Sequence, residues 1–396
     1  MTLCRSRIRG IRTIFDNASE ANMTTQLEVP GPGMHALVIG VNHYTHLSGG
    51  SGEERRQYRG IGQLSSAVPS ALRIARWLLA GRVDTETPLR SLQVLVNSPD
   101  EDLSDLRDAG VNCAVPTFDN IEQALISFKQ LGDEHAENKL LLYFCGHGLS
   151  YSGIDTLLAE NFGSHEFNHF RNAINVDLLL GGMTNCKAGS QLYLFDACRS
   201  DGDQFPPRPG SFGNVIINQT QLNSIDAKQV SIWASAPGTR AFGYRDGRPS
   251  VFAEAVLAAL RGAAARRERS KYRIFTSRLK EAIDIYVKER APRIRQVTDL
   301  RSSTLDFTIA DLEDPPIVPI TVCCADTSAL NSTAFAYWLH PRNHGDPALA
   351  ARAPQDSPWH VDVAAGLYEF VADAGDPDRR YTLSEDIAPP YVNVNF

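Results

Sequence analysis

A chain of 396 residues with 39 basic and 46 acidic side chains carries a formal charge of −7, and at 43% hydrophobic and 21% charged it has an ordinary globular composition. The acidic balance argues against a general binder of nucleic acid or anionic membrane surfaces, and no stretch approaches the roughly 18 consecutive apolar residues of a membrane span. Length on this scale accommodates two domains, and seven scattered cysteines, an odd number, fit a reducing cytoplasm better than a secreted disulfide framework.

Residues 1–33 lack a sustained period. Arg5, Arg7, Arg9 and Arg12 precede the first acid, Asp16, as in an arginine-rich targeting segment, but Leu27-Glu-Val-Pro-Gly-Pro-Gly33 reads as an unstructured lead-in. The fold begins at His35–Val41, a buried strand followed by Asn42-His43-Tyr44. Beyond a glycine-rich charged loop, Leu64, Ala67, Val68, Ala71, Leu72, Ala75, Leu78 and Leu79 recur at helical spacing, and Gly81 closes the helix. Ser91–Val96 is a second strand. The acids between Asp100 and Asp108 are not spaced like a calcium loop and read as a solvated face. A helix capped by Asp119 or Asn120 carries Ile121, Leu125, Phe128 and Leu131.

Two short apolar runs follow, Leu140–Phe144 and Leu192–Phe195, each aliphatic and aromatic enough for a buried strand. The first stops at Cys145-Gly146-His147-Gly148, where glycines turn the backbone sharply. The second stops at Asp196-Ala197-Cys198-Arg199-Ser200. Between them Asp155–Glu160 forms a hairpin or returns to the sheet, and Val176–Met183 a short helix. Strands alternating with helices imply an α/β domain over residues 34–312, with a mostly parallel sheet covered on both faces.

After Cys198 the segment 201–226 has no pattern, a length that in a compact domain is functional or disordered. Val230–Ser235 is another strand, with helices from Ser250 and Ile274 after it. The cluster Arg261, Arg266, Arg267, Arg269, Lys271 and Arg273 reads as a solvated linker, since no aromatic platform interleaves it. Leu305–Ile309 closes the domain. Residues 313–396 hold short strands at Ile320–Cys324, Ala334–Leu339, Trp359–Val363, Leu367–Val371 and Tyr391–Phe396 with Gly, Pro and Asp turns between, the pattern of a small all-β sandwich. It carries no chemical constellation and reads as an accessory domain for a protein partner.

Ligands of open α/β sheets bind at the C-terminal strand edge, so adjacent strands would present His147 and Cys198 to one another there. A thiol beside an imidazole is a nucleophile with its base. Zinc on Cys145, His147 and Cys198 is the rival chemistry, without a recognisable fourth ligand.

The 51-position separation, the Gly-His-Gly turn and the run around Cys198 resemble the caspase-like cysteine peptidases, the clan of caspases, metacaspases and paracaspases, in which the histidine lies about 50 residues before the cysteine. The likeness spans about His35–Ile309 and includes Trp233-Ala-Ser-Ala-Pro-Gly238 and Ser250-Val-Phe252, similar to the family's substrate-binding strand and the helix after it. It implies His147 as general base and acid, Cys198 as the acyl-enzyme residue, the N–H groups of Cys198 and Gly148 as oxyanion donors, and Ser235 at the substrate. True caspases place glutamine two residues before the nucleophile; Asp196 here resembles prokaryotic-type metacaspase-like members and implies cleavage of protein or peptide substrates after Arg or Lys. Ser70 stands where metacaspases usually add an acid. The segment after Cys198 resembles that cut in caspase-like zymogens, with Arg199, Arg208 and Lys228 as candidates. No cofactor or metal is implied; calcium activation occurs in metacaspases, but no ligand set is assignable. A catalytically silent caspase-like scaffold is the alternative.

Overall fold

The computed structural model describes residues 25–26, 31–58, 60–81, 83–111, 113–151, 153–201, 212–218, 227–290, 296–302, 306–343 and 345–396. Most of the 1–33 lead-in and of segment 201–226, including Arg208, lies outside them. The chain divides into two compact units, Met1–Leu257 with Tyr286–Phe307, and Ala258–Ile285 with Thr308–Phe396. By contacts, Ala258–Ile285 groups with the C-terminal strands.

In the first unit the apolar runs build one mixed sheet. Its order is Thr25–Gln26, Leu89–Val96, Met34–Gly40, Lys139–Gly146, Ser190–Ala197, Lys228–Trp233, Asp299–Ser302, with Cys113–Ala114 on Leu89–Val96. The five long strands are parallel, and Asp299–Ser302 runs antiparallel along one edge. Both faces are covered, which is why these strands read as continuous apolar runs rather than alternating ones. Leu37 and Ile39 point toward Ile121, Leu125 and Phe128 of the helix Phe118–Asp133 in one core. On the other face Gly40 lies against the helix Ala67–Leu79, where an added Cβ would sit 2.7 Å from the Ala71 methyl. The helix over Phe118–Asp133 starts two or three residues earlier than a cap at Asp119 or Asn120 would place it: Thr117 is the N-cap, its hydroxyl accepting from the Asn120 N–H at 3.4 Å.

In the second unit the arginine-rich stretch expected to be a linker is a hairpin, Ala265–Glu268 with Lys271–Phe275, joined by Thr308–Leu312. Arg269 occupies its turn at φ 56°. The residues beyond form two sheets, one of Trp359–Ala364, Ile317–Cys323 and Val392–Asn395, the other of Ala350–Arg352, Ala334–Leu339, Gly366–Asp373 and Arg380–Ile387. Val318, Ile320, Phe335, Phe370 and Val394 share one core between the sheets.

The first unit's edge is tied by buried charge. Arg199, directly after Cys198, is 1% exposed, and its guanidinium donates to Asp155 at 2.9 and 2.6 Å and to Asp299 at 2.6 Å. It also lies 4.8 Å from the Trp233 ring centroid. Arg301 adds bonds of 2.9 Å to Asp155 and 3.0 Å to Asp177. Arg199 is therefore not an accessible cleavage site. Asp155→Ala would leave Arg199 buried with one of its three acceptor oxygens, and removing one partner of a buried pair costs about 3–5 kcal/mol. The expected result is a lowered urea midpoint with an unchanged slope; a loss below ~1 kcal/mol would show that the edge is held by packing alone.

Candidate active site

The strands Lys139–Gly146 and Ser190–Ala197 run parallel, with Cys145 opposite Asp196 and Gly146 opposite Ala197. Past the reactive residues the chain pairs again, Leu149 opposite Ser200 and Ser150 opposite Asp201, also in parallel. Every one of these pairs has the 51-position offset that separates His147 from Cys198. The spacing in the sequence is the register of the sheet, and the two residues leave its C-terminal edge side by side. Gly148 makes the approach feasible: a Cβ there would lie 2.5 Å from the Cys198 carbonyl oxygen.

The histidine is fixed from two sides. Its Nε2 lies 2.7 Å from the Gly62 carbonyl oxygen, and a carbonyl only accepts, so Nε2 carries the proton and Nδ1 the lone pair. The His147 backbone N–H donates to the buried Tyr44 hydroxyl at 2.7 Å, and the two rings lie 4.8 Å apart between centroids. Tyr44 in turn is clamped by Gln63, which accepts from its N–H at 2.7 Å and donates to its carbonyl at 3.1 Å. Nothing in the sequence marks Gly62 or Gln63 as site residues; Tyr44, in the Asn42-His43-Tyr44 run after the first strand, is the visible signal.

Burial lowers the His147 pKa to about 4, against a smaller upward pull from its bond to Gly62. Burial likewise pushes the Cys198 thiol up, with Asp196 raising it further and the bond to Ala241 and the charge of Arg240 opposing. Both groups thus rest neutral, Cys198 as the thiol and His147 as the uncharged imidazole. The thiol donates to the Ala241 carbonyl at 3.6 Å, and among the described residues no acceptor engages the Cys198 N–H.

Asp196, two residues before Cys198, is 4% exposed. One of its oxygens, Oδ2, accepts from the Tyr143 hydroxyl at 2.8 Å, the Cys145 thiol at 3.2 Å and the Ser250 hydroxyl. Burial raises its pKa, and these three donors hold it back. Ser70 is buried next to this group, its Oγ accepting from the Ser250 N–H at 2.9 Å. Cys145 is therefore spent on Asp196, and among the described residues no group of His, Cys, Asp and Glu could hold a metal ion. Ser235 is fully buried, and its hydroxyl donates to the Ala197 carbonyl at 2.9 Å, supporting the strand end that carries Cys198.

A model of the caspase domain matches residues 34–308. The chain belongs to the caspase-domain family. A caspase-like peptidase domain thus covers residues 34–308, and no helix of the described residues is long and apolar enough to cross a membrane. The uncharacterized protein y4kE of Sinorhizobium fredii is 22% identical over 211 residues, which cover 53% of this chain and 60% of that protein. The chain thus spans about three-fifths of that relative's length. Caspase-1 of Spodoptera frugiperda aligns with a TM-score of 0.40 and 15% identity, covering 74% of this chain and 94% of that one.

A neutral resting pair has a direct signature. Iodoacetamide labelling of Cys198, followed by peptide mass mapping, is expected to be slow at pH 7 and to climb through pH 9 without levelling, because the thiolate forms only above the thiol's raised pKa. A plateau reached near pH 6 would instead mean a preformed thiolate–imidazolium pair.

Proposed function

We propose that this chain is a cysteine endopeptidase that cleaves after Arg or Lys. What carries the reading is the shared 51-position register, which sets His147 and Cys198 at one strand edge. As a peptide carbonyl arrives, Nδ1 of His147 takes the thiol proton while the Cys198 sulfur bonds to the carbonyl carbon, and the oxygen becomes an oxyanion held by the N–H groups of Cys198 and Gly148. The C–N bond then breaks, the amine leaving with the proton from His147, and a thioester remains. Water, deprotonated by His147, attacks the thioester and releases the acid and the thiol. The Ala241 carbonyl loses its donor when the thiol reacts, and an extended peptide along residues 238–241 supplies an N–H in its place.

Specificity follows from Asp196. Its partners Tyr143, Cys145 and Ser250 are all neutral, so a substrate guanidinium or ammonium would be the first cation to reach it. Latency is part of the proposal: the segment after the nucleophile moves or is cut, with Arg208 and Lys228 as the remaining candidate positions. Lys228 opens the strand Lys228–Trp233 and its N–H donates to the Gly189 carbonyl at 2.9 Å, so a cut there would have to precede docking of that strand end.

Fluorogenic peptides ending in Arg, Lys or Asp decide the matter. Turnover after Arg or Lys is expected, lost in Cys198→Ala and His147→Ala. Asp196→Asn is expected to reduce kcat/KM on the basic peptides by about 30- to 1,000-fold, the cost of removing one member of a desolvated charge pair. The wild-type rate should also fall on the acid side at a pH above the usual carboxylate range, where Asp196 takes up its proton, and that limb should vanish in Asp196→Asn. Turnover after Asp would refute the pocket assignment, and absence of all turnover would leave a binding scaffold.

A further inference from the structure

We infer that the segment Gly238–Arg248 selects substrates by charge, Arg240 receiving a carboxylate on a residue adjacent to the cleaved one, so that the substrate class is a basic cleavage site flanked by acid. The inference rests on the peptidase reading above and extends it from the cleaved residue to its neighbours.

The segment is pinned beside the nucleophile at both ends of a short stretch. Gly238 N–H donates to the Arg199 carbonyl at 2.8 Å and Arg199 N–H to the Thr239 carbonyl at 3.0 Å, so its base is paired to the residue after Cys198. Two residues on, the Ala241 carbonyl takes the Cys198 thiol at 3.6 Å, while the N–H of the same peptide unit, that of Phe242, donates the opposite way to Gln296 at 3.2 Å. Arg240 sits between these anchors. It is exposed, and its charge acts on the Cys198 sulfur.

Among the described residues Arg240 has no ion-pair partner. The acid on its own segment, Asp246, is occupied by Arg248 at 2.8 Å, and Asp196 is buried with neutral donors. An unpaired cation adjoining the residue whose carbonyl holds the Cys198 thiol, with a buried anion two residues before that cysteine, divides the site by sign. A peptide whose basic side chain goes down to Asp196 meets Arg240 with a neighbouring residue, since two extended residues span only ~7 Å. A carboxylate there forms a charge-assisted pair, and a second Lys or Arg is repelled. The arrangement therefore works against dibasic sequences as well as for acid-flanked ones.

The test uses peptides with Arg as the cleaved residue and Glu, Ala or Lys on either side of it. Wild-type protein is expected to prefer Glu over Lys at one of those positions by on the order of tenfold at low ionic strength, the ratio shrinking as salt is added. Arg240→Gln should level the preference and Arg240→Glu reverse it. The same peptides are also titrated by fluorescence anisotropy against Cys198→Ala, which reads the charge preference in binding alone. Failure of turnover with an Arg240-dependent binding preference would remove the peptidase reading and keep this one. Equal affinity for Glu and Lys peptides, or a ratio unchanged in Arg240→Glu, overturns it.

Discussion

Strand register is the constraint on which the site depends. Neighbouring strands lie about 4.8 Å apart and successive side chains alternate faces, so a one-residue slip between Lys139–Gly146 and Ser190–Ala197 would carry His147 or Cys198 to the wrong side of the sheet. The slip is blocked twice. Before the reactive pair, buried residues of both strands, among them Leu142, Phe144, Tyr193 and Phe195, are packed into one core. Behind it, the pairing of Leu149 with Ser200 repeats the same offset, so the two reactive residues sit in a gap bounded by paired backbone on both sides. The close approach of Gly148 to the Cys198 carbonyl is the steric condition for closing that gap.

Charge fixes what register alone leaves loose. The backbone after Cys198 leaves the main sheet, and Arg199 anchors it through Asp155, on Ile154–Leu158, and Asp299, on the antiparallel edge strand. Buried ion pairs contribute little net stability once desolvation is counted, but they are exacting in geometry. Here the forked guanidinium meets the Asp155 carboxylate with two nitrogens, which sets the direction of the chain as well as its distance. Arg199, one of the sequence's candidate positions for a cut, instead holds the exit of the chain after Cys198.

Much of this was legible in the residues, and the exceptions have physical causes. The parallel core strands were visible because strands buried on both faces are continuously apolar, and the reactive pair because each followed such a run directly. Gly62 and Ala241 contribute only carbonyl oxygens, which every residue possesses, so nothing in the side chains could mark them. Ser235 lay in the right motif, but the direction of its hydroxyl depends on the neighbouring strand. The hairpin at Ala265–Phe275 was hidden because its outer residues are arginines; Arg266 lays its guanidinium 4.1 Å from the Phe275 ring centroid, so a charged residue covers apolar surface. Arg380–Ile387 was missed for a related reason, being an edge strand with mostly solvated, polar positions.

Two buried aspartates near the same edge show how one residue type is put to different ends. Asp155 faces two arginines, Arg199 and Arg301, and its charge is met within the fold. Asp196, reached through the neighbouring strand, has a tyrosine, a thiol and a serine, donors that satisfy one oxygen without supplying a positive charge. A carboxylate desolvated among neutral groups holds its proton more tightly, which is the direction its pKa takes, and the same deficit makes it receptive to an incoming cation. Had Asp196 been structural in the sense that Asp155 is, a basic partner from a flanking strand would have offset its burial. Its neutral shell lies two residues before the cysteine that register places beside His147, and so the stability given up by burying an unpaired acid is concentrated at that strand end.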